Sequence, residues 1–358
     1  MHHARFALLL PALLLSCSRA GDDSATTAGT ETGPARPEED GRPAYCGGVD
    51  PSALMGCVDK DRYVADLSFI ADVRPVGSTH WTEVRELCAD RLEALGYDVE
   101  VFNYGEELGE GWSMVGIDVI GVKEGSDPDA PRVLVTAHYD HLEHCEGADD
   151  NASGVAGVLE VARVLAPVPN RNTLVIACWD QEEIGLLGSS AYSVRARETG
   201  EKIGTVLNLE MIGYADSTPG SQRVPGGFDL LFPEQVAELE ANDYRGDFLF
   251  AVSDDGAAAA VELLKGAGAE IGLPIIGAVL SDELKNNPLL SDLQRSDHAS
   301  FWKFDYPAVF MTDTSNFRYE AYHCYNGTHD TIEKLDLDFA TQVVRVTVSA
   351  AASLILGE

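Results

Sequence analysis

The sequence predicts an α/β protein: a mainly parallel sheet with helices on both faces. Three observations carry that prediction. Apolar runs rich in β-branched residues, such as Val133 to Ala137 and Leu174 to Trp179, read as buried strands. Between Val133 and Leu209 such runs alternate with helical spacing as strand, helix, strand, helix, strand, the rhythm of crossover units. A chain of 358 residues with 45% hydrophobic content is also long and apolar enough to bury a substantial core.

Taken in order, Met1 to Arg5 is short and basic, and Phe6 to Leu15 is an apolar run too short to span a bilayer. Leu14-Leu15-Ser16-Cys17 then resembles a bacterial lipobox, so residues 1–17 are expected to be a signal peptide with Cys17 lipidated. Export follows, to the cell envelope as a lipoprotein or into the medium, and anchoring occurs without spanning the membrane. No other run is expected to reach transmembrane length. Ser18 to about Ala44 is rich in Gly, Thr, Ser, Pro and acids without apolar period, a disordered linker before a single domain over 46–358. In an oxidising compartment Cys46 and Cys57 are expected to pair, whereas Cys178, inside an apolar strand, reads as a buried thiol.

Helical spacing covers Asp59 to Leu95, interrupted at Arg74-Pro75-Val76-Gly77 and closed by Gly96. Tyr97 to Tyr104 and Met114 to Val122 read as a strand pair at a sheet edge. Asn151 to Ala166 is an amphipathic helix closed by Pro167, with Gly154 and Gly157 allowing close approach to the sheet. Leu187 to Glu198 is the next helix and Thr205 to Leu209 the next strand. Phe248 to Val252, the helix Ala257 to Gly266, Pro274 to Val279 and Ala308 to Met311 continue the pattern, and Glu333 to Leu356 closes it as a long helix. No internal repeat is present. The formal net charge of −34, from 59 acidic against 25 basic residues, excludes binding nucleic acid or anionic lipid through a basic face. Nothing in the sequence defines the oligomeric state.

Three chemically loaded motifs each follow a strand: His138-Tyr139-Asp140, Asp180-Gln181-Glu182-Glu183, and Glu210-Met211. In an open parallel sheet the loops at the carboxyl ends of the strands form the ligand crevice, so these groups should converge. Imidazole mixed with carboxylate suits zinc, or cobalt or manganese, and suits calcium poorly. His138 is a ligand candidate, and Asp140, two residues on, is placed to accept its other ring N–H. Asp150, in a Gly-rich turn before a helix, suits a carboxylate bridging two cations. Glu182 and Glu183 are adjacent and must diverge; Glu183 is expected as ligand and Glu182 as general base. Two divalent ions would nearly balance Asp150, Glu183, Glu210 and one hydroxide, which favours two metals over one.

His138-Tyr139-Asp140, Gly147-Ala148-Asp149-Asp150-Asn151-Ala152-Ser153-Gly154, Glu182-Glu183-Ile184-Gly185, Asn208-Leu209-Glu210-Met211 and Ser296-Asp297-His298-Ala299-Ser300-Phe301 resemble the motifs of metallopeptidase family twenty-eight, the co-catalytic zinc aminopeptidases. The similarity runs from about residue 60 to the C-terminus. It implies a phosphorylase/hydrolase-like three-layer α/β/α sandwich. It further implies one zinc on His138, Asp150 and Glu210, a second on Asp150, Glu183 and His323, and Glu182 as the base. Two departures stand out. Glu210 replaces the Asp of the best-known members, and His323 is farther from Asp330-Thr331 than the family pattern has it, which leaves His329 as an alternative. Asn316-Phe317-Arg318 precedes His323 as in related bacterial sequences, which favours it. If the loops carrying Cys145 and Cys324 meet at the metals, these thiols are expected to form a disulfide bracing the site. His141 and His144 are expected to lie behind the ligands or in solvent, and Ser296, Asp297 and His298 to shape the pocket wall, since consecutive residues make no catalytic triad.

The expected reaction is metal-assisted hydrolysis of peptides with a free N-terminus, with Glu182 moving the proton. The rivals are a glutaminyl-cyclase-like acyltransferase on the same fold, which typically uses one zinc, and a domain that kept the fold and lost catalysis.

Overall fold

The computed structural model describes residues 36–37, 46, 48–105, 115–285 and 287–357. The expected signal peptide, Cys17 and nearly all of the linker lie outside the described residues. Among the described residues eight strands form one sheet: β1 (Asp98–Tyr104), β2 (Gly116–Lys123), β3 (Arg132–His138), β4 (Leu174–Trp179), β5 (Ile203–Glu210), β6 (Leu249–Asp254), β7 (Ile275–Leu280) and β8 (Ala308–Thr312). Their order across the sheet is β1-β2-β4-β3-β5-β8-β6-β7. β4, β3, β5 and β8 run parallel through the middle. β1 and β2 pair antiparallel at one edge, as the sequence predicts, and β6 meets β8 antiparallel toward the other.

The period-2 alternation of strands explains the layers. In β3 and β4, Val133, Val135, Ala137, Leu174, Ile176 and Cys178 face one apolar core, and Leu134, Val175, Ala177 and Trp179 face the other. The first core is closed by the helices Lys60–Ile70, Thr79–Leu95, Gly154–Leu165, Ala258–Ile271 and Leu337–Leu356, the second by Leu187–Thr199 and shorter segments. That is a three-layer α/β/α sandwich. Strands buried on both faces also explain why their sequences are continuously apolar.

Local chemistry sets the boundaries. Ser78 caps Thr79–Leu95 by accepting from the Trp81 amide at 3.1 Å, and Gly96, at φ 85°, ends it. The closing helix starts at Leu337 rather than Glu333, because the Asp336 carboxylate takes the amides of Asp338 and Phe339 and fixes the N-terminus there. The helix expected to end at Gly266 continues to Ile271 and stops at Gly272, φ 78°. Against expectation, Leu337–Leu356 is long and apolar enough to cross a membrane; 78% of its most apolar window is buried inside the protein, so it serves as a core helix. Short helices at Pro51–Met55 and Pro233–Ala241 carry too few residues for a periodic signal and were not expected. Cys46 and Cys57 form a disulfide, while Cys178 is a buried thiol beside the equally buried Cys88.

Candidate metal centre

The carboxyl ends of the central strands supply the site. β3 ends on His138 and β5 on Glu210, and Asp180 to Glu183 follow β4 directly. Between β3 and the helix Gly154–Leu165 the chain passes Gly147, at φ 59°, and the tight turn Ala148–Ser153 that carries Asp150. A Cβ on Gly147 would lie 2.4 Å from the His141 ring, so no larger residue fits that turn. Gly154 and Gly157 serve as expected: a Cβ at either would meet Leu209.

Five of the predicted residues meet around Asp150. Its Oδ1 is 3.3 Å from His138 Nε2, which is also 3.3 Å from Glu210 Oε2. Its Oδ2 is 3.2 Å from His323 Nε2, which is also 3.2 Å from Glu183 Oε2. The two oxygens of one carboxylate therefore face two separate donor sets. Glu182 and Glu183 diverge: the Glu182 carboxylate groups with His138 and Glu210, and that of Glu183 with Asp150 and His141. His329 is elsewhere, with Nδ1 2.9 Å from Glu146 Oε1 and its side chain 65% exposed.

Buried hydrogen bonds hold this arrangement. Asp140 accepts from the amides of Glu182 (3.0 Å) and Glu183 (3.3 Å), so it positions the glutamate pair. The His138 Nδ1 partner differs from expectation. It is the Asp140 backbone carbonyl at 3.2 Å, with the carboxylate oxygen at 3.5 Å, because that carboxylate is committed to the two amides. Asn151 donates to Leu209 O and accepts from the Met211 amide, tying the Asp150 turn to the end of β5. Asp330 accepts from the amides of Asp149 and Asp150, each at 3.0 Å. Arg74, fully buried, donates to the carbonyls of Tyr139, Glu146, Gly147 and Asp150, as well as Ile70 and Asp72. Ser296 donates to Glu210 Oε2 at 2.7 Å and accepts from Asn208 Nδ2 at 2.8 Å, so it does more than line a wall. Asp297 is buried beside the same groups. His298 stacks on Phe310 and lies against the Leu293 carbonyl.

The electrostatics fit cations. Burial disfavours the charged His138 ring, yet Glu210 and Glu182 hold its pKa well above the imidazole range. His323 is likewise pushed up to about 11, against its burial, by Asp150 and Glu183. Burial raises Glu182 well above the carboxylate range, opposed by His138 and reinforced by Glu210, Glu183 and Asp297. Burial also raises Glu210, against His138. His138 Nε2 and Glu183 Oε1 are buried without a hydrogen-bond partner although they face other donors and acceptors at close range. Imidazole and carboxylate atoms converging in this way, with negative charge in excess, match the donor set of zinc.

The sequence profile of Peptidase family M28 matches residues 118–351, well over half of the chain and the whole of this cluster except Arg74. This chain belongs to peptidase family M28. The chain resembles the uncharacterized protein YfbL of Escherichia coli, 33% identical over 60% of this chain and 65% of YfbL. It also resembles the aminopeptidase YwaD of Bacillus subtilis, 41% identical over 27% of this chain and 22% of YwaD. The chain thus spans less than two thirds of these relatives. Among solved structures, BSAP, a zinc aminopeptidase from Bacillus subtilis, superposes with TM-score 0.60 at 18% identity, covering 83% of this chain and 95% of BSAP. A glutaminyl cyclase from Macrostomum lignano gives TM-score 0.59 at 16% identity over 88% and 98% of the two chains. These likenesses confirm the sandwich fold.

Within this M28 centre, sequence reading missed several contributors. His141, expected behind the ligands or in solvent, is buried and has its Nδ1 2.5 Å from Glu183 Oε1, close enough to count among the donors; its place one residue after Asp140 was the available signal. Arg74 lies far away in sequence and carries no periodicity, and Asp330, named only through the Asp330-Thr331 pair, was not assigned its role of holding the Asp150 turn. Cys145 and Cys324 form the disulfide expected between the two ligand loops. Beside Glu210 a cleft open to solvent is lined by Phe228, Phe248, Phe250 and Phe310, together with Arg295 and Tyr322.

Proposed function

We propose that this chain is a zinc-dependent aminopeptidase with two zinc ions in the centre. The observation that carries the reading is the Asp150 carboxylate, which offers Oδ1 to the His138 and Glu210 side and Oδ2 to the His323 and Glu183 side. His138, Asp150 and Glu210 would hold one ion, and Asp150, Glu183 and His323 the other. Bound zinc supplies Lewis acidity, which lowers the pKa of water toward 7 and polarises a carbonyl.

The protein's own groups do the rest. Glu182, grouped with His138 and Glu210, takes the proton of the attacking water and returns it to the leaving amine. Asp140 fixes the glutamate pair through its two amides. The excess of carboxylates attracts a substrate's α-ammonium, which favours peptides with a free N-terminus over cleavage at a C-terminus. The phenylalanine-lined cleft beside Glu210 accepts a bulky apolar side chain. Export and anchoring through lipidated Cys17 belong to the same reading; metabolic labelling with palmitate, lost in Cys17→Ala, tests them.

A panel of aminoacyl, N-blocked and N-terminal glutaminyl substrates tests the reaction. Hydrolysis of free-amino substrates with apolar first residues, and none of N-blocked ones, is expected. Cyclisation of glutaminyl peptides without hydrolysis would replace this reading with the acyltransferase, and no turnover by the zinc-loaded protein would replace it with a non-catalytic domain.

A further inference from the structure

The loop presenting His323 concentrates left-handed backbone, which elsewhere in the centre is confined to single residues such as Gln181 and Met211. Its backbone is left-handed at two consecutive non-glycine residues, His323 (φ 55°) and Cys324 (φ 51°), and again at Asn326 (φ 60°). Residues with a Cβ keep such angles only where their surroundings impose them. Two close supports of the ring belong to the same loop: Tyr322, over whose ring Arg295 lies, stacks on it with centroids 3.7 Å apart, and the Tyr325 hydroxyl meets Nδ1 at 3.1 Å. The loop is bonded to the body of the site next door. Cys324 Sγ is joined to Cys145, with the Cα atoms 5.5 Å apart. Cys145 is fully buried in the segment whose carbonyls at Glu146, Gly147 and Asp150 are held by Arg74. The bond therefore ties a strained, partly exposed ligand loop to a buried backbone segment that Arg74 holds.

We propose that the Cys145–Cys324 disulfide is the positioning device of the second donor set. It holds His323 Nε2 opposite Asp150 and Glu183, and breaking it loosens that half of the centre while the His138 half stays intact. The inference rests on the reading of His323 as a metal ligand.

Titrating zinc into metal-free protein against a chromophoric chelator tests it, using wild type, Cys145→Ser/Cys324→Ser, His323→Ala and the combined variant. The serine pair is expected to weaken one of the two zinc affinities by about 10–100-fold, the range for groups that orient a ligand, and to leave the other unchanged. Because the bond acts through His323, the pair should add nothing in the His323→Ala background. Unchanged affinities with a lowered Tm would make the disulfide a plain staple and overturn the proposal, as would losses that add to those of His323→Ala. If His323→Ala alone leaves both affinities unchanged, the ligand reading fails and the clamp fails with it, which is a different pattern from failure of the clamp alone. Should the serine pair not fold, folded zinc-loaded Cys46→Ser/Cys57→Ser protein is treated with a trialkylphosphine. The disulfide becomes two thiols as the phosphine takes its oxygen from water, and the thiols are capped with iodoacetamide. Release of one zinc per chain is expected; retention of both with Cys145 and Cys324 capped would overturn the proposal.

Discussion

The two halves of the centre use the same chemistry, an imidazole and a carboxylate on either side of Asp150, but they are supported in opposite ways. His138 and Glu210 are the last residues of neighbouring strands, and the His138 ring is fully buried. Sheet register and hydrogen bonds from Asn151, Ser296 and Arg74 hold that half. Glu183 and His323 lie on loops, the His323 side chain is 16% exposed, and a covalent bond takes the place of sheet register. Secondary structure places ligands cheaply where strands end side by side; where the chain must return from a distant loop, a crosslink does the same work.

The largest effect is expected at Glu182, which groups with the His138 half. Glu182→Gln keeps the size and the Asp140-bound amide but cannot take a proton; kcat should fall by roughly 10²–10⁴-fold while metal content is retained. Near-normal turnover would show that the proton moves through another group. Next is the hydrogen-bonded half. Arg74→Met leaves several buried carbonyls without a donor, and a loss of at least about 3 kcal/mol is expected by urea unfolding. A loss below 1 kcal/mol, on the order of one ordinary hydrogen bond, would mean that Arg74 does not carry that loop.

A pH effect sharpens the same contrast. Burial pushes the His298 pKa down to about 3, below its unfolded value of about 6.5. The unfolded chain then binds a proton that the native state refuses, so stability falls as pH drops below about 6.5 and levels off near the folded pKa. The group contributes a loss of about 2 kcal/mol by pH 5. Comparing urea midpoints of wild type and His298→Asn from pH 7 to 5 should show a shallower decline in the variant; equal slopes would mean that His298 takes up a proton in the fold. The smallest expected effect is that of Ser296→Ala, which removes one hydroxyl from Glu210. About 1 kcal/mol of stability and a modest weakening of the His138-side metal are expected in chelator titration, with the His323 side unaffected.

Much of this was legible in the sequence, for reasons that particular residues make plain. A buried strand announces itself by apolar β-branched residues, and a polar group placed immediately after it, as at His138, Asp180 and Glu210, lies by topology at the sheet's carboxyl edge. The half built on strand ends was therefore readable residue by residue. The loop half was readable only in part. Resemblance and the order of motifs favoured His323 over His329, and the structure brings His323 to Asp150 while His329 turns to Glu146. The partners of the long-range supporting groups were not legible. Arg74 reaches carbonyls up to 76 residues away, Asp330 reaches amides up to 181 residues away, and Ser296 meets Glu210 across 86 residues. Contacts at such separations leave no local pattern, and a buried arginine reads in sequence like any surface one.

The Asp150 carboxylate, facing His138 with one oxygen and His323 with the other, is proposed to serve two zinc ions at once. Zinc counted by plasma emission on the active, purified protein tests it most directly. Two zinc per chain, falling together with activity in Asp150→Asn, is the result predicted here; full aminopeptidase activity with one zinc per chain would contradict it.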